Sequence, residues 1–355
     1  NVDLADILLE VLERGASDLH LTVGVPPAVR INGTLEHLDY PRLSLTDTRE
    51  LVYSILTQEQ RQRLETDWEI DFSYSVPGAA RFRVNAFFQR NSLGAAFRLV
   101  PLNVLNIDDL SLPKVAHTFC TKARGIILVT GPTGSGKSTT LAAIIDEIND
   151  IRSDHIMTIE DPIEFLHKHK SCIVNQREVG TDTKGFGRAL RSVLRQDPDI
   201  ILIGEMRDLE TIQTALTAAE TGHLVFATLH TQDCPQTIDR MIDVFPPHQQ
   251  EQIRVQIAAT IQGVLSQQLL ARRDGHGRVV ACEVLIPTPA VRNLIREGKT
   301  HQIYTIMQTG TKFGMQTMDA ALADLVRRKL ITREMAETHA SNPEDLGRLL
   351  MSGAA

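Results

Sequence analysis

A chain of 355 residues with 42% hydrophobic and 23% charged residues has apolar material for more than one core and too little compositional bias for a disordered arm. Its formal net charge of −7 argues against a surface built for a phosphate backbone, so no nucleic-acid partner is expected. No apolar run nears the ~20 residues that span a bilayer, the N-terminus has no basic stretch followed by an apolar one, and the four cysteines form no C-x-x-C, so a cytosolic protein with reduced thiols is expected.

Leu4, Ile7, Leu8, Val11 and Leu12 recur at helical spacing, and Gly15 ends that short amphipathic helix. Alternating or β-rich pieces follow at 18–23, 28–31, 70–74 and 81–88, with helix-period segments at 46–55 and 58–67 between the strand groups. The spacing predicts a small α+β domain with a largely antiparallel sheet over residues 1–98. Residues 99–113 carry no clean period and begin and end near prolines, as an interdomain linker does. Beyond it, over 114–355, apolar β-type runs at 125–130, 155–159, 199–203 and 224–228 alternate with helical stretches, the pattern of an α/β domain with a parallel sheet. From 248 onward helical periods dominate, with one further β-like stretch at 278–286, so a helical C-terminal part is expected.

Gly131-Pro132-Thr133-Gly134-Ser135-Gly136-Lys137-Ser138 fits G-x-x-x-x-G-K-[ST] in full and directly follows the apolar run 125–130. A buried strand feeding a glycine-rich turn and a helix aims backbone N–H groups and the positive helix end at one point, which favours a polyphosphate. Lys137 then reaches the β/γ-phosphates, Ser138 can ligate Mg²⁺, and Thr139 is expected to bind the nucleotide together with residues 131–138. Nucleotide binding, with ATP and Mg²⁺ as the cofactors, is the firmest expectation.

Ile200-Ile201-Leu202-Ile203-Gly204-Glu205 is a buried strand with a carboxylate at its carboxyl end, where open parallel sheets bind ligands, and Glu205 is the candidate catalytic base. Gly204 stands where the simplest Walker B pattern has a metal-associated Asp, so metal contact leans on Ser138, phosphate oxygens and water. Glu160, Asp161 and Glu164 crowd past another strand end. They are read as a second acidic wall, with Glu164 and Glu160 the stronger candidates and Glu160 meeting the metal directly or through water; a solvated turn at Asp161-Pro162 is the plain alternative. His230 closes the run 224–229, as a γ-phosphate sensor or as a structural histidine. Arg81 and Arg83 share one face of a strand, either as a solvated basic face or as arginines supplied in trans to a neighbour's phosphate.

Together the phosphate loop, 158–165, 191–210, 228–231 and Ala290-Val291-Arg292-Asn293-Leu294-Ile295-Arg296-Glu297-Gly298-Lys299 resemble the secretion-type hexameric ATPases of the GspE/PilT-like superfamily, and within it the type IV pilus retraction motors. The resemblance covers nearly the whole chain. It implies a RecA-like P-loop NTPase core, a PAS-like N-terminal domain announced by Gly15-Ala16-Ser17-Asp18-Leu19-His20-Leu21, and Gly-Glu as the family's own Walker B ending. It further implies an ATP-driven homohexamer powering twitching motility, acting through an inner-membrane platform protein (PilC-like) at the cytoplasmic side of the membrane, with a PilU-like accessory motor as a further partner. On this reading a neighbour's N-terminal domain is expected to supply Arg81, Arg83 or both to the γ-phosphate. Extension and type II secretion ATPases usually carry an extra N-terminal domain and a tetracysteine zinc motif, so retraction is the favoured reading. A PilU-like accessory role, a pilus-extension or type II secretion ATPase, and a non-motor P-loop kinase or switch are the alternatives.

Overall fold

The computed structural model describes residues 2–353; Asn1, Ala354 and Ala355, the ends of the two expected domains, lie outside the described residues. The chain divides into two compact units, one running to Leu102 and one beginning at Asn103.

In the first unit, α1 (Leu4–Glu13) starts where the Asp3 side chain accepts from the Ala5 backbone, buries Leu4, Ile7, Leu8 and Val11, and stops before Gly15 at φ +67°. Then come β1 (Asp18–Leu21), β2 (Ala28–Ile31), β3 (Thr34–His37), α2 (Leu45–Tyr53), α3 (Gln58–Asp67), β4 (Glu69–Val76), β5 (Ala80–Gln89) and β6 (Ser92–Leu99). Capping boxes at Ser44/Asp47 and Thr57/Gln60 satisfy the first turns of α2 and α3. The sheet runs β3-β2-β1-β6-β5-β4 with antiparallel pairing throughout. Phe82 and Phe97 meet edge to face across its core at 6.3 Å. Strands β3 and β6 were not expected: β3 is exposed along its whole length, and the Leu-Gly-Ala-Ala of β6 has no alternation because nearly all of it is buried.

The second unit contains α4 (Ala116–Phe119), β7 (Gly125–Thr130), α5 (Lys137–Ile151), β8 (His155–Glu160), β9 (Ile173–Glu178), α6 (Phe186–Val193), β10 (Ile200–Ile203), α7 (Leu209–Glu220), β11 (Leu224–Leu229), α8 (Cys234–Asp243), α9 (Pro247–Thr260), β12 (Ile261–Ala271), β13 (Arg278–Leu285), α10 (Pro289–Arg296), α11 (Ile303–Thr309), α12 (Met318–Arg327), α13 (Arg333–His339) and α14 (Pro343–Ser352). Its sheet runs β13-β12-β7-β11-β10-β8-β9, parallel except for the antiparallel edge strand β13. Every residue of β7, β10 and β11 is buried, as a sheet covered on both faces requires. The expectation of helix from 248 onward fails at Ile261–Ala271, which is strand: its apolar run follows α9 without a turn residue, and pairing with β7 and β13 decides its state. Ile107 and Leu112, inside the 99–113 segment, are buried with Phe119, Ile127 and Ile144, so much of that stretch packs on the second unit. All four cysteines are buried and unpaired.

Candidate nucleotide site

The phosphate loop leaves β7 and enters α5 through glycines at φ +151° (Gly131), +79° (Gly134) and +87° (Gly136), conformations that side chains resist. A Cβ at Gly131 would lie 2.5 Å from both the Gln267 carbonyl oxygen and Ser135 Oγ, so β12 presses on the loop from behind. Gln267 completes that brace, donating from Nε2 to the Ser135 carbonyl at 2.7 Å while its Oε1 accepts from Thr140 Oγ1 at 2.8 Å. Thr130 and Ser266 join hydroxyls at 2.6 Å one step earlier.

Around the loop the carboxyl ends of β8, β10 and β11 form a cleft of about 530 Å³. Thr133 through Thr139 line it with Glu160, Glu164, Glu205, Arg207 and His230. Arg81 and Arg83 are not among its lining residues; they lie on β5 of the first unit, Arg81 opposite Ser75, with Nη1 donating to Ser75 Oγ at 3.3 Å, and Arg83 opposite Ser73 and Arg98.

One chain of contacts crosses the cleft. Lys137 Nζ donates to the Gly131 carbonyl at 2.7 Å and meets His230 Nδ1 at 2.9 Å; His230 Nε2 meets Glu205 Oε1 at 2.5 Å; Arg207 Nη2 meets Glu205 Oε2 at 2.6 Å. Burial pushes the Glu205 carboxyl up, but the hydrogen bond and charge of Arg207 together with His230 pull it down further, so it sits below its ordinary range and is ionised at neutral pH. Burial holds the Lys137 ammonium below its ordinary range against the opposing pull of Glu205.

The acidic wall divides by environment. Burial drives the Glu160 carboxyl up to about 7, with the charges of Glu164 and Glu178 adding to the rise; Gln176 Nε2 at 3.0 Å and Thr158 Oγ1 at 2.7 Å donate to Oε2 and oppose it. Glu178 accepts from the Ile163 backbone at 3.0 Å and so fixes the loop that carries Glu164. Gly204 has a steric cause: a Cβ there would sit 3.1 Å from the Ile159 carbonyl oxygen and 3.2 Å from Glu160 Cα, while its N–H donates to that carbonyl at 2.7 Å. An aspartate of the simpler motif would have to push that backbone back by a few tenths of an ångström. Among the described residues no cluster of three or more His, Cys, Asp or Glu can hold a metal ion by itself.

Sequence reasoning placed Glu205, His230, Glu160, Glu164 and the whole loop where the fold brings them together, but it gave no role to Arg207, Thr158, Gln176 or Gln267. Arg207 stands two residues from Glu205, inside the 191–210 stretch that carries the resemblance; Gln267 and Gln176 sit on strands that had not been foreseen.

A model of the Type II/IV secretion system protein family matches residues 2–337. The chain is 52% identical to the type IV pilus retraction ATPase PilT of Pseudomonas aeruginosa over 97% of this chain and 100% of that protein. It is 49% identical to a twitching motility protein of Neisseria gonorrhoeae over 90% of this chain and 86% of that one. A crystal structure of the pilus retraction motor PilT with bound ADP superposes with a TM-score of 0.86 at 52% identity, covering 98% of this chain and 100% of that one.

Proposed function

This chain belongs to the Type II/IV secretion system protein family, and from that premise we propose that it is an ATP-hydrolysing motor that powers type IV pilus retraction and twitching motility. The observation that carries the chemistry is the unbroken line from the phosphate-loop lysine through His230 to Glu205.

In this reading the loop N–H groups and Lys137 hold the β- and γ-phosphates, and Lys137 gives up His230 to reach them. His230 is then free to hydrogen-bond the γ-phosphate. Glu205 takes a proton from a water whose oxygen bonds to the γ-phosphorus as the bond to the bridging oxygen breaks, leaving ADP and inorganic phosphate. Ser138 and Glu160 fit Mg²⁺, because two hard oxygen donors in one cleft suit an ion that keeps waters and phosphate oxygens in its shell; when bound, it neutralises charge on the β- and γ-oxygens. Glu164 orders the water shell on that side.

We propose the working protein as a homohexamer in which Arg81, Arg83 or both reach a neighbour's γ-phosphate, with the hinge between domains at the start of the segment 99–113, before the part packed on the second unit. No helix among the described residues is long and apolar enough to cross a membrane. The proposed motor sits at the cytoplasmic face of the inner membrane through contact with a platform protein, with a PilU-like motor as accessory. Two measurements test the reading. Glu205→Gln should bind ATP near normally and lose turnover; retained turnover removes Glu205 as base. A deletion strain should keep its pili and lose retraction, whereas bald cells would mean an extension motor.

A further inference from the structure

Glu205 is held from two sides that differ in character. Side-chain exposure runs from 16% at Glu205 through 48% at His230 to 72% at Arg207, so the carboxylate is part of the cleft wall and the guanidinium reaches it from the rim. Oε1 belongs to the line that ends on the phosphate loop, since His230 touches Lys137 and Lys137 touches the Gly131 carbonyl. Oε2 is taken by Arg207, at 2.6 Å. The terminal torsion of a carboxylate is broad and roughly two-fold, so nothing intrinsic to Glu205 keeps the two oxygens distinct. A charge-assisted bond at 2.6 Å does.

We propose that Arg207 is a positioning residue for hydrolysis: by occupying Oε2 while His230 Nε2 touches Oε1, it fixes the rotation of the Glu205 carboxylate, so that Oε1, on the Lys137 side, accepts the proton of the attacking water through its remaining lone pair. The inference rests on Glu205 being the base and adds to it which oxygen acts and what selects it. Met206 reinforces the geometry, because its N–H donates to the Thr228 carbonyl at 3.0 Å and Thr228 Oγ1 donates to the Gly204 carbonyl at 2.5 Å, pinning the backbone on either side of Glu205. The groups facing the pair are His230, Lys137 and Asp161, with Glu160 and Glu164 along the same cleft. Arg207 itself is a surface group whose ion pair adds little to folding stability, so its removal leaves a folded protein to assay.

The test is ATP hydrolysis against pH for the wild type, Arg207→Ala, Arg207→Lys, Glu205→Gln and the double variant Glu205→Gln/Arg207→Ala, with ADP affinity read separately from a fluorescent ADP. Arg207→Ala should lower kcat roughly 10- to 100-fold, the cost of a misaligned group, while ADP affinity stays within about twofold. Its acid limb should move to higher pH, because burial then acts on the carboxylate without the neighbouring cation. Arg207→Lys should return the limb towards the wild type and recover only part of kcat, since an ammonium supplies charge without a planar fork. The double variant should lose nothing beyond Glu205→Gln alone. A fall in ADP affinity at unchanged kcat would make Arg207 a phosphate ligand, and an unchanged kcat with an unmoved acid limb would make it an ordinary surface ion pair; each overturns the assignment. Full turnover by Glu205→Gln overturns the base as well, an outcome the other two leave intact.

Discussion

The brace behind the phosphate loop predicts that a strand far along the chain governs nucleotide affinity. Gln267 is 1% exposed and makes two side-chain hydrogen bonds, to the Ser135 carbonyl and from the Thr140 hydroxyl. Gln267→Met keeps the length and apolar volume but removes both. Thr140 lies in α5 and can turn its hydroxyl to the Gly136 carbonyl one turn back, so that loss is largely recovered. The Ser135 carbonyl has no such substitute, and an unsatisfied buried acceptor costs about 1–3 kcal/mol. If that cost falls on the binding-competent loop, ADP affinity drops roughly 5- to 150-fold. Titration with a fluorescent ADP, alongside urea unfolding, separates a loop effect from a global one. Gln267→Glu should be worse, because it loses the donor and sets a carboxylate behind an anion site. An ADP affinity within twofold of the wild type in a folded Gln267→Met would refute the brace.

Gly204→Ala should cost about 1–3 kcal/mol, since its Cβ meets backbone rather than a movable side chain, and turnover should fall with it; an unchanged urea midpoint would mean that β8 yields. Without Mg²⁺ and nucleotide, Glu160 should make the wild type lose stability as pH rises from the ordinary carboxylate value of 4.5 through about 7, because the raised folded-state pKa favours the protonated form. Glu160→Gln should flatten that slope, by on the order of 3 kcal/mol between the two limits, as read from denaturation midpoints across pH. Mixing Lys137→Ala chains with Arg81→Ala/Arg83→Ala chains should recover part of the ATPase activity if the arginines act across subunits, and no recovery in mixed oligomers would count against that placement.

What the sequence made legible was whatever is local. The loop's glycines, Lys137 and the strand-end positions of Glu205 and His230 follow from a short pattern attached to an apolar run, and the fold then gathers strand ends at one edge of the sheet. What stayed hidden depends on pairing. β12 reads as a continuation of α9 because Ile261 follows Thr260 without a breaker, yet it is a strand paired on both sides, with β7 and β13, and carries Gln267. β9 is short and polar in its middle, so Gln176 had no signal as a partner for Glu160. Gly204 was visible only as a departure from a motif; its cause, the backbone at Ile159 and Glu160, is a neighbour more than forty residues away along the chain.

The close approach at Gly204 also has a mechanical consequence. With only a hydrogen atom between the ends of β8 and β10, and an N–H bonded across the gap, the segment bearing Glu160 and the segment bearing Glu205 have no slack between them. A displacement at either end passes directly to the other, so the strand ends that carry Glu160 and Glu205 move together.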